Sequence, residues 1–115
     1  MTAGARLRLE MDAALQRASE ALGQSADQPL EWTEQERVAL DAACAAADRA
    51  EVLEAAFEAE IGAEGRPSVL VKLSAEVRAL DRQAVDLLGK VNPGLGPGIS
   101  ERHQKASRAR WGAKR

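Results

Sequence analysis

"GRPSVLVKLSAEVRALDRQAVDLLGKV" (Gly65–Val91) decides the fold. Within it Leu70, Leu73, Val77, Leu80, Ala84, Leu87 and Val91 alternate steps of three and four without a break. On a helix these positions fall on one face and make a heptad seam of about three repeats. Lys72, Glu76, Arg78, Asp81, Arg82 and Asp86 lie between them, a mixed-sign surface suited to solvent or to a subunit boundary. With Pro67 just ahead of it, the spacing predicts a helix from about Ser68 to Lys90.

Upstream, "TEQERVALDAACAAADRAEVLEAAFEAE" (Thr33–Glu60) opens on a capping box: the Thr33 hydroxyl can accept the Glu36 amide while the Glu36 side chain reaches back. A helix from Thr33 to about Ile61 follows, striped by Ala39, Ala43, Ala46, Ala50, Leu53 and Phe57. A stripe of alanine lets a neighbouring backbone approach closely. "GAEGRP" (Gly62–Pro67) is a short glycine turn, which argues for an antiparallel hairpin of two arms about 35–40 Å long. Before it, Leu7, Met11, Ala14, Ala18 and Ala21/Leu22 share one face of a helix within residues 1–22, ended by Gly23. The connector "GQSADQPLEW" (Gly23–Trp32) ends in an anchor residue, Trp32. No period-two alternation is long enough for a sheet. The expected fold class is all-α: a long antiparallel helical hairpin, an extra N-terminal helix and a flexible basic C-terminal tail.

Residues 1–90 have only Trp32 and Phe57 as aromatics, so their core is mostly Ala, Leu and Val. Such a core buries little area per residue, and small domains in this position often stabilise by association. Leu70, Leu73, Val77, Leu80, Ala84 and Leu87 are therefore the candidate oligomerisation residues. The single cysteine, Cys44, excludes an internal disulfide framework and reads as small core filler in "DAACAAAD". "MTAGARLRLEMD" lacks the apolar run of a signal peptide, and no segment has the length of a membrane span, so a cytoplasmic protein without a membrane partner is expected.

Enzyme chemistry finds little support. The one histidine, His103, lies in the tail with no fixed acidic partner. "GLGPG" follows a helix rather than a strand and lacks the Lys-Ser/Thr pair of a phosphate loop. Glu51, Glu54 and Glu58 share a helix face, but no histidine accompanies them as a di-metal bundle motif requires, so they read as solvated. No catalytic residue, metal or cofactor is expected.

Charge is distributed unevenly. Residues 1–89 carry nine Lys/Arg against seventeen Asp/Glu, whereas residues 90–115 carry seven Lys/Arg against one acid, Glu101. The whole chain is at −2. "VNPGLGPG" (Val91–Gly98) reads as a flexible joint, which divides the chain into a helical oligomerisation domain (1–90) and a basic tail (91–115). Ser100 can cap a short helix over "ERHQKASRAR", ordered only when it binds something. The candidate DNA-binding residues are Arg102, Lys105, Arg108, Arg110, Trp111, Lys114 and Arg115: cations that neutralise phosphates, and a ring that stacks on a base or docks in a pocket. An acidic protein partner satisfies the same tail.

The order of these elements resembles the small terminase subunits of tailed bacteriophages, in the form found in phages of high-GC actinobacteria. The resemblance runs over about Thr33–Arg115. It is carried by the T-x-x-E helix opening, the short Gly connector, Glu76-Val77-Arg78, Leu88-Gly89 and the ending "SERHQKASRARWGAKR". It implies a homo-oligomeric ring in the host cytoplasm that binds double-stranded viral DNA and regulates or recruits the large terminase subunit, the ATPase and nuclease, during genome packaging. Many such subunits begin with a helix-turn-helix, for which the neutral residues 1–22 are too short, so DNA contact falls to the tail or the ring surface. A helical adaptor or transcription-associated protein with a nonspecific DNA-binding tail is the alternative.

Overall fold

The computed structural model describes residues 1–23 and 29–91, and among them it is all-helical, with three helices and no strand. They are α1 (Ala3–Ala21), α2 (Glu34–Gly62) and α3 (Pro67–Leu88).

Each boundary has a local cause. Thr2 caps α1, its hydroxyl accepting the Ala5 amide at 3.1 Å, and Gly23 ends the helix with φ +71°. The capping box of α2 is complete: the Glu36 amide donates to Thr33 Oγ1 at 3.1 Å and the Thr33 amide to Glu36 Oε1 at 3.0 Å. Between α2 and α3, Gly65 adopts φ +63° and donates its amide to the Glu60 carbonyl at 2.7 Å. Pro67 then starts α3, a position that needs no amide donor. The observed bounds fall within two residues of those expected from the sequence.

α2 is the central element. Ala39, Ala43, Ala46 and Ala50 are all buried, and Leu53 and Phe57 are half-buried, so the stripe legible in the sequence is the face α2 turns inward. Along it, Ala39 shares a groove with Leu87, and Phe57 shares another with Val77. A second face carries Leu40 and Cys44, which cluster with Leu7 and Met11 of α1. Among the described residues, Leu40 is the one large side chain with no exposure at all. Val91, expected both as the last seam residue and as the first of the tail, packs into this cluster at 3 % exposure. Leu15 and Ser19 of α1 are buried as well, whereas Ala21 is exposed.

Docking of α1 depends on a missing side chain. A Cβ on Gly4 would lie 2.4 Å from the Cys44 carbonyl oxygen. Because glycine stands there, the start of α1 reaches α2 closely enough for the Gly4 amide to donate to Asp48 Oδ1 at 2.8 Å and the Ala3 amide to Glu51 Oε1 at 3.1 Å. α1 has no acid in its own first turn, and α2 supplies the carboxylates its N-terminus lacks. On the other end, Leu30 N–H donates to Ser19 Oγ at 3.1 Å and Trp32 Nε1 to Asp12 Oδ1 at 2.9 Å. Trp32 is the anchor that the connector sequence suggested, packed half-buried against the Leu40 cluster.

Candidate assembly and nucleic-acid surfaces

The seam of α3 lies where its spacing placed it. Leu70, Leu73, Val77, Leu80, Ala84 and Leu87 are each half-buried, while Lys72, Glu76, Arg78, Asp81, Arg82 and Asp86 between them are exposed. No residue of α3 is fully buried. Val77 and Leu87 line grooves with residues of α2, and every residue of the seam keeps part of its surface exposed.

The acidic surface is organised rather than diffuse. Glu51, Glu54 and Glu58 of α2 line a groove of about 460 Å³ with Phe57, Ser74, Val77 and Arg78. Glu51 is not merely solvated as its sequence context suggested. It accepts the Ala3 amide, pairs with Arg6 at 3.1 Å, and both contacts hold its carboxyl below the usual range. Asp41 pairs with Arg8, which raises the guanidinium pKa, chiefly through that hydrogen bond. Glu60 and Arg66 staple the α2–α3 turn. The Arg66 amide and Nε donate to Oε2 at 2.9 and 3.1 Å, and a terminal nitrogen donates to Oε1 at 2.8 Å. These bonds, the side-chain ones first, hold Glu60 down to about 2. Burial pushes the Cys44 thiol up, which disfavours the thiolate a nucleophile needs.

None of these carboxylate arrangements announces itself in the sequence. Asp48 and Glu51 lie 44 and 48 residues from their amide partners, so no local pattern links them. The clue available was Gly4 in the first turn of a helix, where glycine is disfavoured unless something passes close by.

The expected DNA-binding residues Arg102, Lys105, Arg108, Arg110, Trp111, Lys114 and Arg115 lie outside the described residues, as do His103 and the "GLGPG" stretch. The described residues therefore present the acidic part of the charge division, and their exposed carboxylates would repel a polyanion. No helix among them is long and apolar enough to cross a membrane. No known protein family, curated protein or solved structure matches the chain.

Proposed function

We propose that this chain is a non-catalytic, helical, self-assembling DNA-binding protein that acts as a phage small terminase subunit. In this reading α2 and α3 form an antiparallel hairpin. Hairpins associate through the outward part of the Leu70–Leu87 seam, and the assembly presents many basic tails to double-stranded DNA. The observation that carries it is the charge division: an acidic helical body followed by seven cations and one acid in residues 90–115. The body repels DNA and confines it to the tails. The resemblance of Thr33–Arg115 to small terminase subunits supplies the context of genome packaging and the large terminase subunit as partner.

One tail has six cations beyond Lys90, so its own affinity should be weak, about 10⁻⁴–10⁻⁶ M at physiological salt. Several tails on one ring would raise avidity by a factor on the order of 10²–10⁴. Electron microscopy of the protein with and without viral DNA tests the assembly. Closed rings that collect on DNA are expected; isolated particles of one 12.3 kDa chain would refute it.

A further inference from the structure

α1 lies against the first part of α2. Its Leu7 and Met11 pack on Leu40 and Cys44, and its first amides are held by Asp48 and Glu51. From Glu51 onward a groove of about 460 Å³ runs between α2 and α3, lined by these two helices alone. Phe57 and Val77 give it an apolar floor, each half-buried. Glu54 and Glu58 stand exposed at its edge and, among the described residues, have no ion partner. Glu51 is already committed to the Ala3 amide and to Arg6. The cation among the lining residues is Arg78, also exposed and, among the described residues, without an ion partner.

We propose that this groove receives the basic end of the same chain, residues 99–115, with its cations set against Glu54 and Glu58. Charge selects that occupant. The groove offers two uncommitted carboxylates beside one cation, and the segment carries the inverse pattern, the single acid Glu101 among six cations. Ile99 and Trp111 bring apolar surface for Phe57 and Val77. Length selects it as well. Val91 is buried in the cluster of Leu40, so the chain leaves the described body near the start of α2. From Leu40 to Glu54 or Glu58 the helix runs about 21–27 Å at 1.5 Å per residue. Arg102 and Lys105 follow Val91 by 11 and 14 residues. Their extended reach is about 36–46 Å at roughly 3.3 Å per residue, which covers the distance with slack. Within one chain the effective concentration is on the order of millimolar, so a weak contact suffices. A docked segment is sheltered, and any polyanion must displace the groove to reach it.

This contact goes beyond the DNA-binding reading and does not depend on it, so its test contains no DNA. The full-length chain, as an equal mixture of isotope-labelled and unlabelled protein, is treated at low salt with a carbodiimide, which joins touching amines and carboxylates. Linked peptides are mapped by mass spectrometry. Lys105 or Lys114 should join Glu54 or Glu58 of the same chain, in excess over exposed Glu31, which precedes Trp32 at the Val91 end. Salt at about 0.5 M should suppress the product. Trypsin cleavage after Lys105 and Arg108 is then timed in the full-length chain and in its Glu54→Gln/Glu58→Gln variant, with helicity checked by circular dichroism. A docked segment is cut only when it opens, so the variant should be cut about threefold faster or more. Links spread evenly over the exposed carboxylates, links found only between labelled and unlabelled chains, or equal cleavage rates would overturn the proposal.

Discussion

The Glu60 carboxylate accepts three hydrogen bonds from Arg66, one from its backbone and two from its guanidinium, across the turn that joins α2 to α3. The acid is held down to about 2 from an ordinary 4.5. A group whose folded pKa is depressed adds stability above its unfolded value and loses it as pH falls through the folded one. The stabilisation should therefore be complete at neutral pH, begin to fade near pH 4.5 and be gone below about 2. Thermal melts of wild type and Glu60→Gln across this range check it: the gap between them should be constant at neutral pH and shrink on acidification. A gap that widens at low pH would show that the pair is not what fixes the turn.

Gly4→Ala should destabilise. In an open helix alanine is favoured over glycine by about 1 kcal/mol. Here the added Cβ meets the Cys44 carbonyl at 2.4 Å and Asp48 Oδ1 at 2.8 Å, and backbone cannot move aside cheaply. Overpacking of this kind costs about 1–3 kcal/mol, so the clash outweighs the propensity gain. Gly62→Ala is the control, because nothing lies within 4 Å of its Cβ position, and it should stabilise by about 0.4–1 kcal/mol. Urea denaturation of the two variants should give shifts of opposite sign.

Leu80→Asp should reduce assembly. Leu80 is half-buried in the single chain, and a carboxylate placed in the dry seam of the proposed assembly costs several kcal/mol unless it finds a partner. Light scattering should show the mass falling toward 12.3 kDa while helicity by circular dichroism is largely kept. Loss of helicity at unchanged mass would assign Leu80 to packing within the chain alone.

What the sequence made legible was periodic or local. The α2 stripe ending at Phe57, the Thr33–Glu36 box and the Leu70–Leu87 spacing are written in neighbouring residues, and the described structure places each where its spacing implied. What it hid was the join between elements. Asp48 and Glu51 read as solvent-facing carboxylates until α1 is laid across them, and nothing within one helix turn of either says that it will be. Glu60 and Arg66 are only six residues apart, yet their pairing depends on the left-handed turn at Gly65, a three-dimensional fact. Which helix meets the seam was hidden too, since a heptad repeat does not say what will pack against it.

Binding of double-stranded DNA by the full chain and by a chain ending at Gly98, measured against salt concentration, bears most directly on the proposed function. Removal of residues 99–115 deletes Arg102, Lys105, Arg108, Arg110, Lys114 and Arg115 together with Trp111. For the full chain, log K should fall steeply with log salt, by about 0.9 per phosphate neutralised, or roughly 5 for one tail's six cations. The truncated chain should show no measurable DNA binding and an unchanged assembly mass. Full DNA affinity in the truncated chain, with the same salt slope, would contradict the central claim and assign the tail to a protein partner instead.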